Sequence, residues 1–234
     1  MTGVDRLPLR SKLLEKVPEI DHAFGTRHHP VGLRSLDHWG IRRPAWKQVH
    51  GVKVREARKP REELGDCDVL FTRAKRLPIG VAVADCVPIL LAREDGAVVA
   101  AVHAGWRGTI DGAARALLER LAREGESLER YFAAIGPSIG PCCYEVDEAL
   151  AERFARAGYQ AVGETPGAKP KLDLPEYNRR QLVAYGLKSD RVEVLKACTL
   201  CDPERRFYSY RREKDPGRQF AAIVLGVSRG ASRP

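Results

Sequence analysis

The sequence predicts a mixed α/β protein, of the α+β type, on three observations. Apolar segments with strand character alternate with segments of helical period along the 234 residues. The run at 77–92 is too apolar to leave one face in water, which indicates a sheet covered on both sides. With 44% hydrophobic and 30% charged residues, the composition is that of an ordinary globular domain. We therefore expect one domain over residues 1–234, with 1–20 and 227–234 at its periphery.

Strands dominate the first half of the chain. Val49, Val52 and Val54 suggest two strands around a bend at Gly51. Further strands are predicted by the apolar segments at 67–73, 77–92 and 97–104. An Asp-Gly dipeptide at 95–96 joins the last two of these segments. This dipeptide is a strong signal for a two-residue hairpin turn, so these two strands should pair antiparallel.

Helices alternate with strands in the second half. Apolar residues from Ile110 to Leu121 recur at the helical period, and Thr109 is predicted as the N-cap of that helix. The segment 147–158 predicts a second helix, and Pro175 stands near the start of a third. The remaining strands are predicted at 130–135, 191–201 and 219–227.

Charge and targeting signals restrict the partners. The net charge of +9 is compatible with anionic partners, but the arginine pairs are not interleaved with stacking aromatics, so no nucleic-acid partner is expected. The sequence lacks the apolar stretch of a signal peptide and any run of about 18 apolar residues, so we expect a cytoplasmic protein without a membrane partner. In that compartment the six cysteines are expected to be thiols or metal ligands.

The hairpin register brings a thiol and an imidazole together. If Asp95 and Gly96 form the turn, counting outward along the strands places Cys86 opposite Gly105. Cys86 and His103 then lie diagonally on one face, with Cβ atoms roughly 7 Å apart. A slip of one residue would separate them.

Two chemistries fit this pair, and a purely structural role for both residues is the third interpretation. In the first, Cys86 is a nucleophile activated by His103, as in cysteine hydrolases. In the second, both side chains bind a catalytic zinc ion. A catalytic zinc site needs three protein ligands and an open position. His50, in the segment KQVHGV, is the best candidate for the third ligand.

The segment after His103 is a candidate anion site. Gly105 and Gly108 allow the backbone to approach a ligand, and Arg107 offers a cation beside the start of a helix. A tight strand-to-helix turn explains the same residues without a ligand. Arg211, Arg212 and Arg218 are likewise either an anion-facing set or a solvated turn; this choice stays open.

The other cysteines are predicted to be packing residues. Cys142 and Cys143 are adjacent, and a vicinal pair is a weak metal signal. Cys198 and Cys201 have the spacing of half a zinc site or of a redox pair, but no second pair is evident to complete it. Cys67 is expected at a strand edge.

Seven motifs, in order, resemble the bacterial laccase-domain family, whose members are named polyphenol oxidase, purine nucleoside phosphorylase or peptidoglycan editing factor. The resemblance covers residues 20–226 and rests on KQVHGVKV, ADCVPILL, AVHAGWRGT, IGPSIGPCCYEV, KLDLPEYNRRQL, CTLC and FYSYRRE with GRQFAAIVL. It implies a pair of mixed β-sheets flanked by helices in four α/β/β/α layers, similar to cysteine-hydrolase folds. It also implies that His50, Cys86 and His103 are the catalytic residues and bind Zn²⁺.

The resemblance further implies a monomeric enzyme that acts on purine nucleosides and inorganic phosphate. The expected reactions are phosphorolysis of adenosine, inosine, guanosine and S-methyl-5′-thioadenosine, and deamination of adenosine. Substrate-binding residues implied by motif match are Arg27, Gln48, Arg107 and Arg211. The alternative is an amidase that edits cytoplasmic peptidoglycan precursors, with Cys86 or zinc attacking the amide.

A copper-dependent polyphenol oxidase is a weaker alternative. A four-copper assembly needs about ten histidines, and the sequence has six. Copper is expected at the site only as a metal taken up in vitro.

Overall fold

The computed structural model describes residues 7–34, 39–162, 167–214 and 217–227. Among these residues, eleven strands form three sheets. The strands are β1 (Ile20–Phe24), β2 (Ala45–Lys47), β3 (Val54–Glu56), β4 (Glu63–Asp66), β5 (Val69–Thr72), β6 (Ile79–Val83), β7 (Val87–Arg93), β8 (Val99–Ala104), β9 (Tyr131–Ile135), β10 (Val192–Val194) and β11 (Gln219–Leu225). The α-helices are α1 (Trp39–Arg42), α2 (Trp106–Asp111), α3 (Ala113–Arg123), α4 (Glu148–Arg156), α5 (Leu174–Ala184) and α6 (Tyr210–Glu213).

The largest sheet is mixed. Its order is β10-β9-β7-β8-β5-β3, with a parallel pair at each edge and antiparallel pairing between the inner strands. A second sheet, β1-β11-β6, is antiparallel throughout. Strands β2 and β4 form a separate parallel pair. The mixed α/β class predicted from the sequence is therefore confirmed.

Alternating side chains of the six-stranded sheet divide the core into two. Val69, Ile89 and Leu91 face α3, α4 and α5, whose contributions include Leu117 and Phe154. On the opposite face, a second set of core residues packs between the two larger sheets. It includes Leu70, Leu90, Ala101, Ile79, Val81 and Ile223. The layers are therefore helices, six-stranded sheet and three-stranded sheet.

The outer face of the three-stranded sheet carries a small helix. The Trp39 ring of α1 contacts Phe220 of β11, with ring centroids 5.4 Å apart. Leu14 and Val17, which belong to the segment expected at the periphery, are fully buried in the core between the sheets. Residues 1–6 and 228–234 of the expected periphery lie outside the described residues.

The central hairpin has the predicted register. Strands β7 and β8 pair with Pro88 opposite His103 and Val87 opposite Ala104. Continuing this register places Cys86 opposite Gly105, as the sequence predicts. Strand β7 is buried along almost its whole length, which confirms that the sheet is covered on both faces.

The apolar run at 77–92 does not form one strand. It divides into β6 and β7, which belong to different sheets. Asp85 makes the transition with a φ of +87°, outside the range of a regular strand. Its carboxylate accepts hydrogen bonds from Thr199 Oγ1 at 2.5 Å, Ser209 Oγ at 3.1 Å and the Arg211 backbone N–H at 2.7 Å. These hydrogen bonds tie the Asp85 carboxylate to the segment from Thr199 to Arg211.

The helix after the hairpin begins earlier than predicted. α2 starts at Trp106 with Gly105 as its N-cap, and Gly112, at φ +87°, separates it from α3. The prediction of Thr109 as an N-cap is therefore wrong. Thr109 is buried within α2, where its hydroxyl oxygen accepts a hydrogen bond from the Asn178 side chain at 2.9 Å.

The predicted helices at 147–158 and near Pro175 are confirmed as α4 and α5, each capped by an aspartate. The predicted strand at 191–201 is shorter, since only Val192–Val194 pairs with β9. Within the part of the chain that the structure describes, no helix has the length and apolar character needed to cross a membrane.

Candidate metal centre and active-site cavity

Three side chains from separate parts of the chain converge at one point. His50 lies on the loop after β2, Cys86 lies between β6 and β7, and His103 is near the end of β8. One ligand atom from each lies within 4.8 Å of the other two. The two imidazole rings stand edge to face, with centroids 4.9 Å apart. His50 is exposed, Cys86 half-buried and His103 buried, so the cluster opens to solvent on the His50 side.

A buried carboxylate, Asp68, holds two members of this cluster. Its Oδ1 accepts a hydrogen bond from His103 Nδ1 at 2.7 Å and another from the His50 backbone N–H at 2.9 Å. Its Oδ2 accepts from the N–H groups of Val49 at 3.1 Å and Gly51 at 2.8 Å. Because Asp68 engages Nδ1, Nε2 is the His103 ring nitrogen left for Cys86 or for a metal ion. The same carboxylate stabilises the His50 backbone, whose φ is +60°.

Electrostatics favour a thiolate beside these imidazoles. Burial raises the pKa of Cys86, but hydrogen bonds from His103 and His50 outweigh it and lower that pKa to about 6. Burial lowers the pKa of His103, whereas hydrogen bonds to Asp68 and Cys86 raise it, with a result of about 9. Burial also raises the pKa of Asp68, and its hydrogen bonds with His103, Gly51 and Val49 lower it below the usual value.

Gly105 has no side chain, and this leaves room for the side chains of Cys86 and His50. A Cβ atom at this position would lie 3.0 Å from Cys86 Sγ and 3.3 Å from His50 Cδ2. The backbone at Gly105 has φ −70°, which any residue adopts. The requirement for glycine here is therefore steric and concerns the cluster itself.

The cluster lies in the wall of a cavity of about 1150 Å³. This volume accommodates a ligand of nucleoside size. Aromatic residues in the lining include Trp46, Tyr144 and Tyr210, and basic residues include Lys47 and Arg211.

Tyr144 and Arg211 form one edge of this cavity. The Arg211 guanidinium lies over the Tyr144 ring, 5.4 Å from its centroid. Burial and the nearby Cys86 raise the pKa of Tyr144 to about 12, although Arg211 acts in the opposite direction. The Tyr144 hydroxyl therefore stays protonated at neutral pH.

The structure brings two of the four expected substrate-binding residues to the cavity. Gln48 and Arg211 line it. The Gln48 amide is committed to the Ala82 backbone, since it donates to the Ala82 carbonyl at 2.9 Å and accepts from the Ala82 N–H at 2.7 Å.

Arg27 and Arg107 do not line the cavity. Arg27 forms an ion pair with Glu213 and lies over the Tyr208 ring. Arg107 is exposed and lies over Trp106, 4.7 Å from the ring centroid. A substrate-binding role for these two arginines stays a prediction.

Asp68 is the residue that sequence reasoning missed. It directly precedes the buried run of β5, and an acidic residue at such a point is a recognisable signal. Its partners at His50 and His103 are distant in sequence, so the motif that contains Asp68 does not show what it binds.

The donor set of the cluster suits zinc. Two imidazole nitrogens and one thiolate sulfur are ligands that Zn²⁺, a borderline-soft ion, binds in catalytic sites with three protein ligands. The Asp68–His103 hydrogen bond is the usual outer contact of a zinc-bound histidine. The residues present therefore fit the metal that the sequence resemblance implies.

The stacked sheets and the cavity with its His/Cys cluster define a laccase-like α/β protein with a candidate metal centre. The chain belongs to the family described as multi-copper polyphenol oxidoreductase laccase, which matches residues 34–226. This family assignment confirms the resemblance drawn from the seven motifs.

Named relatives and solved structures agree with this assignment. The chain is 37% identical over 160 residues to adenosine deaminase RL5 from an unknown prokaryotic organism, covering 67% of this chain and 61% of that protein. It is 40% identical over 180 residues to a purine nucleoside phosphorylase from Deinococcus radiodurans, covering 76% and 68%. The crystal structure of YlmD from Geobacillus stearothermophilus aligns with a TM-score of 0.79 at 27% identity, covering 96% of this chain and 98% of that one.

Proposed function

We propose that the protein is a zinc-dependent purine nucleoside enzyme. The proposed reactions are phosphorolysis of adenosine, inosine, guanosine and S-methyl-5′-thioadenosine, and deamination of adenosine. The observation that carries this proposal is the open cluster of His50, Cys86 and His103 in the wall of a nucleoside-sized cavity. The names of two relatives, adenosine deaminase and purine nucleoside phosphorylase, support it.

His50, Cys86 and His103 would hold the metal ion. When bound, Zn²⁺ supplies Lewis acidity, which polarises an oxygen of the substrate and lowers the pKa of water. Asp68 orients the His103 ring through its 2.7 Å hydrogen bond with Nδ1, so that Nε2 is the nitrogen that would bind the metal once its proton has left. The exposed side of His50 leaves the approach from the cavity open.

The cavity edge formed by Tyr144 and Arg211 would bind the anion. Arg211 is exposed and supplies a charge-assisted donor for inorganic phosphate. The protonated Tyr144 hydroxyl supplies a neutral hydrogen-bond donor beside it. Tyr210, 56% exposed and part of the same lining, presents an aromatic face against which a purine ring can stack.

In phosphorolysis, a phosphate oxygen forms a bond to C1′ of the ribose while the bond from C1′ to the purine nitrogen breaks. The departing purine takes a proton, and the products are a free base and ribose 1-phosphate. In deamination, water adds at C6 of the purine ring and ammonia leaves, so adenosine becomes inosine. In both reactions the chain would fix the metal ligands and orient the nucleoside. We propose that the enzyme acts as a monomer in the cytoplasm, where both nucleosides and inorganic phosphate are found.

The test measures base release from inosine by the purified zinc-loaded protein. We expect hypoxanthine to form only when inorganic phosphate is present, and we expect His50→Asn to abolish it. His28→Asn is the matched control, because His28 is an exposed histidine outside the cavity lining. Absence of hypoxanthine, together with absence of inosine production from adenosine, would overturn the proposal.

A second candidate function is supported by a separate observation. Cys86, His103 and Asp68 form a chain of hydrogen bonds in the order used by cysteine hydrolases, and the pKa of Cys86 is lowered to about 6. The corresponding activity is hydrolysis of an amide, with cytoplasmic peptidoglycan precursors as the candidate substrates.

Cys86→Ser separates the two candidates. Loss of one zinc ion per chain relative to the unchanged protein, together with loss of nucleoside activity, supports the role of Cys86 as a ligand. Retained zinc, with loss of cleavage of a muramoyl-peptide, supports the thiol nucleophile.

A further inference from the structure

A second cluster of sulfur atoms lies apart from the His/Cys cluster. Cys142 and Cys143 meet Cys198 and Cys201, although the two pairs are far apart in sequence. All four sulfur atoms lie within 4.8 Å of one another, and the Sγ atoms of Cys142 and Cys201 are 3.5 Å apart. The sequence-based prediction that these are unrelated packing residues is therefore replaced by a four-cysteine cluster.

The sulfur spacing fits tetrahedral coordination. Zn²⁺ binds thiolate sulfur at about 2.3 Å, so sulfur atoms at the corners of a tetrahedron around it are about 3.8 Å apart. The one short distance of 3.5 Å and the limit of 4.8 Å on all the others lie on either side of this value, and no carboxylate or imidazole is among the four members.

The backbone around the cluster is arranged to support thiolates. The Gly140 N–H donates a hydrogen bond to Cys198 Sγ at 3.3 Å. A Cβ atom at Gly140 would lie 3.4 Å from Cys142 Sγ and 3.7 Å from Cys198 Sγ, so a bare backbone lies directly against the sulfur atoms. The Cys143 N–H donates to the Gly140 carbonyl at 2.9 Å, which closes the turn that carries the first pair.

The two loops are also joined next to the cysteines. Ser138 and Cys198 form an isolated parallel β-bridge, and the Thr199 N–H donates to the Ser138 carbonyl at 3.0 Å. The cluster is thus preorganised by backbone contacts, which is what a site of four converging ligands needs.

We propose that Cys142, Cys143, Cys198 and Cys201 bind one structural Zn²⁺ ion. Four protein ligands fill the coordination shell of zinc, whereas the three-residue cluster leaves a position open, so the two sites differ in role. Binding requires thiolates, and the thiol protons are released to solvent as the metal enters. The proposal is independent of the proposed function.

The four-cysteine cluster lies next to two segments of the candidate active site. Tyr144, next to Cys143 in the chain, lines the cavity. Thr199, next to Cys198, donates to the carboxylate of Asp85, the residue before Cys86. A zinc ion bound by the four cysteines would therefore fasten one edge of the cavity to the segment that carries a ligand of the other site.

The test uses a protein in which the first site is disabled by Cys86→Ser and His103→Asn. Purified under reducing conditions, this background is expected to retain about one zinc ion per chain, measured by elemental analysis. Adding Cys142→Ser and Cys201→Ser, at two exposed positions, is expected to remove it. Adding Cys67→Ala, at the one described cysteine outside both clusters, is the matched control and is expected to leave the zinc in place.

Cobalt titration of the same background keeps the proposal testable if the serine variant fails to fold. Co²⁺ bound by thiolates gives a charge-transfer absorption band, and this band is expected in the background protein. Absence of both zinc and the cobalt band, unchanged zinc in the folded serine variant, or a Cys142–Cys201 disulfide under reducing purification would each overturn the proposal.

Discussion

Replacing Asp68 by asparagine tests how the candidate metal centre is held together. The carboxylate accepts four hydrogen bonds, two at each oxygen. Asparagine presents one carbonyl oxygen and one NH₂ group, so with the carbonyl oxygen on His103 and His50 the NH₂ group faces the N–H donors of Val49 and Gly51, and both of these contacts are lost.

The structure gives the size of the expected effect. Hydrogen bonds to a charged group contribute about 1.5–3 kcal/mol each. Two are lost at a fully buried side chain, so Asp68→Asn should lower the free energy of unfolding by about 3–6 kcal/mol. The effect on metal binding is separate: loss of the outer partner of a ligating histidine lowers metal affinity about 10–100-fold.

Urea unfolding and competition with a zinc chelator measure these two effects. Asp66→Asn is the matched control, because Asp66 is an exposed aspartate two positions before Asp68. If Asp68→Asn matched Asp66→Asn in both stability and zinc affinity, the argument that Asp68 positions His50 and His103 would be refuted.

Three further predictions concern the cluster and its scaffold. Gly105→Ala should weaken zinc binding by crowding the cluster, whereas Gly40→Ala, at a position with no atom within 4 Å of a new Cβ, should not; chelator competition compares them. After the metal is chelated, iodoacetamide should label Cys86 with an apparent pKa of about 6, because its lowered pKa leaves the side chain mostly thiolate above that pH. Cys67, whose pKa is raised to about 11 by burial, should stay unlabelled at pH 7. Labelling is measured by mass spectrometry across a range of pH, and labelling of Cys86 with the usual pKa of a cysteine would contradict the prediction. Asp173→Ala should cost about 0.5–2 kcal/mol of stability by removing the α5 cap, and an unchanged urea midpoint would count against it.

The hairpin and the pair of Cys86 and His103 could be predicted from the sequence because they depend only on neighbouring residues. An Asp-Gly turn fixes the register, and the register fixes which side chains share a face with Cys86. His103 and Cys86 therefore followed from counting along two strands, whereas His50 was only the best candidate for a third ligand until the resemblance to a family implied it.

The break at Asp85 did not follow from the pattern. Strands β6 and β7 are both buried, so no alternation of polar and apolar residues marks the point where one sheet ends. A positive φ at an aspartate leaves no periodic signal in the sequence.

Long-range pairs explain the remaining differences. Asp68 meets His50 and His103 only in the folded chain, and the vicinal Cys142 meets Cys198 through two loops. Arg107, in contrast, lies close to His103 in sequence but turns toward Trp106. Sequence distance was thus a poor guide to distance from the site in both directions.

The transition at Asp85 also orders the assembly of the site during synthesis. All three candidate ligands lie in residues 50–103, so a ribosome makes them before it makes the segment that carries Thr199, Ser209 and Arg211. Yet β6 pairs with β11, and the Asp85 carboxylate receives its hydrogen bonds from Thr199, Ser209 and Arg211. A nascent chain would therefore carry every ligand early but gain the support of Cys86 only when β11 has emerged, which delays a fully formed metal centre until β11 has paired with β6.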